Sequence, residues 1–152
     1  MAKYSFRYGD GNIDFEYPQE DVIKVLEPNK VDIPCLDEEE IIRKSIENPI
    51  GSPKLEEIVK AGQTVCIVVP DVTRLWSKPA VICKILVEKL NKIGVKDSDI
   101  LFIAAVGTHR LQEEEDFINL IGEDLYKRIR IENHLCDGEV VETGVSSYGN
   151  VM

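Results

Sequence analysis

The spacing of apolar side chains predicts a small sheet at the start of the chain. Apolar and polar residues alternate over residues 4–8 and 12–17, and Asp10-Gly11 is a hairpin turn signal between these two segments. Residues 22–26 are mostly apolar and are predicted as a third short strand. Alternation with a period of two is typical of strands that bury one face. We therefore predict an amino-terminal β-meander of three strands within residues 1–27.

Helical spacing replaces the alternation after a proline-bounded loop. A helix is predicted over residues 37–47, with Asp37 as its capping residue. A second, short helix is predicted after Ser52, with Pro53 at its first position and Gly62 at its end.

The middle of the chain predicts a parallel sheet. Residues 64–69 (TVCIVV) and 100–106 (ILFIAAV) are continuous apolar runs, as in strands buried on both faces. Residues 78–93 carry one apolar stripe and end at Gly94, which predicts a helix between them. Together they form a βαβ unit over residues 64–106. An acidic helix at 113–121 and strands at 129–133 and 139–145 follow. The predicted fold class is α/β, a layered domain with a mostly parallel sheet and the amino-terminal β-meander.

Composition narrows the possible functions. The net charge of −10 argues against nucleic acid as a partner, because phosphate binding needs a basic surface. No apolar stretch is long enough for a membrane helix, and the first residues lack the apolar core of a signal peptide. We therefore expect a cytoplasmic protein without a membrane partner. The four cysteines lack metal-binding spacing and are expected to be buried, reduced thiols.

Chemistry-bearing residues follow both strands of the βαβ unit. Because parallel strands end at one edge of a sheet, these two loops are expected to face each other across a crevice. His109 suits general acid–base chemistry, Asp71 suits a hydrogen bond to its imidazole, and Arg74 offers a planar fork for a carboxylate or phosphate. The predicted site comprises the catalytic residues Asp71 and His109, and the substrate- or cofactor-binding residues Thr73, Arg74, Gly107, Thr108 and Arg110. No metal ligands are predicted.

Structural roles for the same residues stay open on sequence grounds. Asp-x-Thr is common turn chemistry, and a histidine near a helix start also fits a surface position. His134, the other histidine, is expected to be structural. Trp76 fits a lid, a pocket wall or simple packing equally well. No glycine-rich phosphate-binding motif is present.

Three blocks of the sequence resemble the amino-terminal domain of the nickel-pincer lactate racemase family. They are residues 48–58 (NPIGSPKLEEI), Asp71-Val-Thr-Arg74 and Gly107-Thr-His-Arg110. The resemblance implies a two-domain α/β enzyme that interconverts the stereoisomers of a small 2-hydroxy acid. It also implies a nickel ion in a pincer made from nicotinic acid mononucleotide, which takes a hydride from the substrate's C2 and returns it on the other face.

The resemblance also implies roles for individual residues. His109 matches one of two histidines that exchange the substrate's hydroxyl proton, Asp71 an acidic residue that supports the site, and Arg74 a basic residue that binds the anionic ligand. Leu75 and Leu111 stand where the family usually has proline. The family's second histidine, its pincer-bearing lysine and its nickel-binding histidine belong to a later segment with a Gly-Gly-Arg-Lys motif, which this sequence lacks.

The resemblance leads to one expectation about the whole chain. Residues 1–152 are expected to form a single α/β domain, with the meander at 1–27 and the core at 36–150. It would be the amino-terminal part of a longer isomerase, whose second domain and 2-hydroxy acid substrate are its partners. This part alone is expected to be inactive and to bind neither nickel nor the pincer.

Two other functions remain open. The chain fits a stand-alone module that binds a small anion or mononucleotide without catalysis. The amino-terminal meander also fits an assembly role, since an exposed strand edge can pair with another chain.

Overall fold

The computed structural model describes residues 1–31, 37–138 and 140–152, and the chain divides into two compact units, Met1–Cys35 and Leu36–Met152. In the first unit, β1 (Ala2–Tyr8) pairs antiparallel with β2 (Gly11–Tyr17) around a turn at Gly9-Asp10. The turn therefore comes one residue earlier than predicted. On one face of the hairpin, the Phe15 ring stacks on Phe6 with ring centroids 5.2 Å apart.

The predicted third strand of the meander is wrong. A short 3-10 turn spans Gln19–Asp21, and residues 22–26 form no strand. Ile23 and Leu26 are largely exposed, and only Val22 of this segment is half-buried. A third strand needs a neighbour for its backbone N–H and C=O groups, and within the described residues β1 and β2 pair only with each other. The meander is therefore a two-stranded hairpin.

The second unit is built on a three-stranded parallel sheet in the order β3-β4-β5. Its strands are β3 (Val65–Pro70), β4 (Ile100–Ala105) and β5 (Arg130–Asn133). Its helices are α1 (Glu38–Glu47), α2 (Leu55–Ile58), α3 (Pro79–Ile93), α4 (Glu114–Ile121) and α5 (Glu123–Arg128). The predicted α/β class, with a parallel sheet and a separate amino-terminal antiparallel pair, is confirmed.

Helices cover one face of the parallel sheet. The connections β3-α3-β4 and β4-α4-α5-β5 run in the same direction across the sheet, and right-handed crossovers then place their helices on the same side. Helices α3 and α4 pack against each other there. The core between sheet and helices contains Val69, Val87, Leu90, Phe102, Ala104, Leu120 and Ile121.

The prediction that β3 is buried on both faces is wrong. Val69 is buried, but Val68 is 66% exposed and Cys66 is also exposed. On β4, Ile103 on the same outer face is only half-buried. No helix of the described segments covers this side, because both crossovers lie on the other one. A run that is apolar at every position shows no period, so it does not reveal which face is covered.

Two further elements differ from prediction. Helix α2 is a single turn that begins after Lys54 rather than Ser52 and ends where Val59 becomes extended. The predicted strand over residues 139–145 is absent over residues 140–144, and Glu139 lies outside the described residues. Instead Val145 forms an isolated bridge with Val151, because the partner of this segment is the last stretch of the chain.

The described cysteines are only partly as predicted. Cys83 on α3 is buried, and burial raises the pKa of its thiol to about 12. Cys66 and Cys136 are exposed, contrary to expectation, and Cys35 lies outside the described residues. None of the described helices combines the length and apolar character needed to cross a bilayer.

Candidate active site

The register of the parallel sheet brings three strand ends together. Val69 of β3 pairs with Ala104 of β4, and Ala104 pairs with Asn133 of β5. The loops that follow these strands therefore start side by side at the carboxyl edge of the sheet. This edge is where ligands bind in open α/β folds, and it carries all the predicted site residues.

Asp71 is the buried anchor of the site. It follows β3 directly and caps the 3-10 segment Val72–Ser77. Its Oδ1 accepts hydrogen bonds from the Thr73 N–H at 3.1 Å and the Thr73 hydroxyl at 2.5 Å, and its Oδ2 is hydrogen-bonded to Nδ1 of His109. The Thr73 hydroxyl and then the His109 imidazole, which outweigh the opposing effect of burial, hold the pKa of Asp71 below its usual value. The carboxylate therefore stays ionised.

His109 presents one ring nitrogen to Asp71 and the other to the outside. Because an ionised carboxylate can only accept, the Nδ1 of His109 carries the hydrogen of their shared bond. The side chain is 57% exposed, and its Nε2 has no hydrogen-bond partner among the described residues. In the neutral imidazole, Nε2 is then the unprotonated atom, ready to accept a proton from a ligand. The paired carboxylate stabilises the imidazolium that results.

Arg74 lies beside this pair on the same 3-10 segment. Its guanidinium is exposed and forms no ion pair or hydrogen bond with any residue that the structure describes. Five donors of fixed geometry are thus available for a carboxylate or phosphate. Trp76 on the same segment is 77% exposed, so a packing role inside this chain does not account for it.

The hydroxyl of Thr73 is already in use. It donates to Asp71, and the backbone N–H of the same residue does so as well. Thr73 thus orients the carboxylate, and its predicted role in binding a ligand stays a prediction.

The loop after β4 forms the other wall of the site. Gly107 has φ +56°, a left-handed conformation that side chains disfavour, and a Cβ there would meet no atom within 4 Å. Glycine is therefore needed for the turn rather than for space. Thr108 next to it is exposed. A cavity of about 410 Å³ lies between this loop and the residues after β5, and its lining includes His109 and His134.

Arg110 differs from Arg74 in being engaged. Its guanidinium donates to both carboxylate oxygens of Asp116, at 2.5 and 2.9 Å, and Asp116 also accepts from the backbone N–H of Glu113 at the start of α4. The side chain of Arg110 thus ties the site loop to α4. Its predicted ligand-binding role stays a prediction.

Residues that sequence reasoning missed lie beneath these loops. Gln112 is only 4% exposed and hydrogen-bonds to the loops after β3 and β4, and Asn133 at the end of β5 pairs with its backbone. A polar residue in the run Leu-Gln-Glu-Glu-Glu looks like an ordinary loop position, and no motif marks it.

The residues that the structure describes form no metal site by themselves. Among the described residues, no group of three or more histidine, cysteine, aspartate or glutamate side chains is arranged to hold a metal ion. The guanidinium of Arg74 at the carboxyl edge suits an anion instead, and the unprotonated Nε2 of His109 suits a proton. The nickel pincer implied by the family resemblance therefore finds no ligand set in the described part of residues 1–152.

Comparison with known proteins agrees with this description. The lactate racemase of Lactiplantibacillus plantarum is 35% identical over 111 residues, 72% of this chain and 26% of that protein. The lactate racemase of Thermoanaerobacterium thermosaccharolyticum is 26% identical over 129 residues, 82% of this chain and 29% of that protein. The solved structure of the latter species' lactate racemase apoprotein has the same fold, with a TM-score of 0.75 at 23% identity, over 99% of this chain and 34% of that one.

The chain therefore spans between a quarter and about a third of the length of these relatives. The family described as "Lactate racemase N-terminal domain" matches residues 8–152, which is nearly the whole chain. The resemblance inferred from the three sequence blocks is thus confirmed, and the chain belongs to the family of lactate racemase N-terminal domains.

Proposed function

We propose that this chain is the amino-terminal part of a two-domain isomerase that interconverts the stereoisomers of a small 2-hydroxy acid such as lactate. The observation that carries the proposal is the Asp71–His109 pair, with Nε2 of His109 left open at the carboxyl edge of the parallel sheet. Membership of the lactate racemase family supports the reaction class.

Each residue of the site has a distinct part in this proposal. His109 takes the substrate's hydroxyl proton on Nε2 and returns it, and Asp71 fixes the tautomer and stabilises the charged imidazole. Arg74 binds the substrate carboxylate or an anionic group of the cofactor. Thr73 orients Asp71, while Gly107 and Thr108 shape the facing loop. Arg110 holds that loop to α4 and keeps further N–H donors for a ligand.

The cofactor belongs to the rest of the enzyme in this proposal. Because the described residues provide no metal ligands, the nickel-pincer nucleotide would be held by segments outside residues 1–152. Residues 1–152 alone are then inactive, and their contribution is the proton acceptor and the anion-binding arginine.

The test uses the full reading frame that encodes this chain, loaded with its cofactor. Conversion of L-lactate to D-lactate is followed by circular dichroism or chiral chromatography. His109→Asn is expected to lower the rate by about 10²- to 10⁴-fold, the usual contribution of a general base. Lys127→Gln, which removes an exposed ion pair with Glu123 on α5, serves as the control and is expected to leave the rate unchanged.

Two results would overturn the proposal. One is a reading frame that ends at Met152, and the other is undiminished racemisation by His109→Asn. Activity on another 2-hydroxy acid but not on lactate would keep the reaction class and correct the substrate.

A binding module without catalysis is the second candidate, favoured by the unengaged guanidinium of Arg74. Titration calorimetry of residues 1–152 with lactate and with nicotinic acid mononucleotide separates the two. Binding that Arg74→Ala abolishes and His109→Ala leaves intact would support the module. Arg130→Ala, which removes an exposed arginine at the opposite edge of the sheet, is the matched control.

A further inference from the structure

Gln112 connects the two loops that carry the Asp71–His109 pair. Its side-chain Oε1 accepts a hydrogen bond from the Val72 N–H at 3.1 Å, and its Nε2 donates to the Arg110 carbonyl at 2.9 Å. Val72 is the residue after Asp71, and Arg110 is the residue after His109. A single buried amide thus spans the distance between the backbones of the two partners.

Asn133 fixes Gln112 in turn. The Oδ1 of Asn133 accepts from the Gln112 N–H at 2.9 Å, and its Nδ2 donates to the Gln112 carbonyl at 2.9 Å. This reciprocal pair extends the connection to the end of β5. The next residue, His134, donates its backbone N–H to the Ala104 carbonyl at 3.0 Å and lines the same cavity as His109.

The arrangement needs an amide at position 112. The end of this side chain must accept one hydrogen bond and donate another at the same time, which a carboxylate or a thioether cannot do. Burial sharpens the requirement, because water does not replace a lost partner at a site that is only 4% exposed. The network also contains no charge of its own, so it holds the loops without competing for an anionic ligand.

We propose that Gln112 and Asn133 are positioning residues, which hold the loops after β3, β4 and β5 so that the Asp71 carboxylate meets Nδ1 of His109. The catalytic meaning of this role rests on the proposed function. The geometric role does not, since it concerns the pair alone.

The test observes the pair directly by NMR. Histidine labelled with ¹⁵N gives signals from two imidazoles only, since the chain has two histidines. In the unmodified protein we expect a single His109 tautomer with its proton on Nδ1 and a downfield Nδ1 proton shared with the carboxylate. In Gln112→Met we expect loss of that proton signal and ¹⁵N shifts that move toward averaging of the two tautomers.

Asn91→Leu is the matched control. The Asn91 amide also bridges separate segments, through Val95, Asp97 and Arg128, but at the opposite edge of the sheet. It is expected to lower the melting temperature without changing the His109 signals. Asn133→Ser, at a half-buried position, gives a milder second variant if Gln112→Met does not fold, and the same direction of change is expected.

The outcomes separate this inference from the proposed function. Unchanged His109 signals in a folded Gln112→Met or Asn133→Ser protein would overturn the positioning role, whatever the enzyme activity. The expected spectral change in a protein whose full reading frame racemises no hydroxy acid would keep the positioning role and overturn the proposed function alone.

Discussion

The two edges of the parallel sheet both carry polar networks, and the networks are built differently. At the amino edge, Arg128 pairs with Asp97 and Asp124, and Asn91 joins them, all in contact with solvent. At the carboxyl edge, buried Gln112 and half-buried Asn133 support a buried carboxylate and leave His109 and Arg74 open.

The difference shows how structure and function share the sheet. Exposed ion pairs contribute little to stability and are screened by salt. The pairs that connect α3 and α5 therefore do not need exact distances and angles. A buried amide must keep its hydrogen-bond geometry, because each lost partner leaves an unsatisfied polar group. The proposed proton-transfer pair needs a strict geometry, and among the described residues the buried amide lies at the edge that carries this pair.

The largest expected effect comes from removing the charge of Asp71. Asp71→Asn keeps the size of the side chain but no longer stabilises a charged His109, so the racemisation rate of the full enzyme should fall by roughly 10²- to 10⁴-fold. The rate is measured with saturating lactate, and Asp97→Asn at the other edge is the control. Equal losses in the two variants would erase the distinction between the edges.

A smaller effect is expected on stability at the carboxyl edge. Gln112→Met leaves the Val72 N–H and the Arg110 carbonyl without partners, so the free energy of unfolding should fall by about 1–3 kcal/mol. Urea denaturation at neutral pH measures it. A loss within the error of an exposed variant such as Lys127→Gln would show that water replaces the amide.

The pH dependence of stability sharpens the comparison further. The Thr73 hydroxyl and His109 lower the pKa of Asp71, so the folded state binds this proton less tightly than the unfolded state does. Its stabilising contribution is therefore complete above the unfolded pKa of about 3.9 and disappears as the pH falls through the lower folded pKa. Denaturation curves from pH 7 to pH 2 should show the wild type and Asp71→Asn converging at the acid end. A gap that persists there would point to packing instead.

The smallest effect is expected at the amino edge. Arg128→Gln removes partly exposed ion pairs, and the free energy of unfolding should change by at most about 1 kcal/mol. The change should shrink further in 1 M NaCl, where exposed charges are screened. A larger loss of unfolding free energy that salt does not reduce would mean that this exposed network depends on its geometry as strongly as the buried one does.

The pairing of Asp71 with His109 was predictable, and Gln112 was not, for a physical reason. Asp71 comes two residues, and His109 three residues, after a continuous apolar run, and parallel strands end at one edge of a sheet, so the two loops meet there. Gln112 bonds to backbone groups that lie 40 residues before it and two residues before it, and to a side chain 21 residues later. Backbone groups have no sequence signature, so such a contact appears only in the folded chain.

The same reasoning explains the wrong predictions in the fold. Residues 22–26 are apolar enough for a strand, but apolar character does not identify a pairing partner, and no partner is present among the described residues. The uncovered face of β3 carries the apolar side chain of Val68, which is mostly exposed, so an apolar run did not indicate that both faces are buried. Local pattern therefore located the strands of the parallel sheet and the longer helices, but it did not show which segments have a pairing partner or which faces are covered.

The hydrogen bonds to the Asp71 carboxylate also limit how many protons the site can accept. Its two oxygens already accept three hydrogen bonds, and its pKa lies below the usual value, so this carboxylate is not the acceptor of an arriving proton. In the proposed reaction, the pair therefore offers one acceptor for a proton, Nε2 of His109, and this atom can accept another only after the first proton has left.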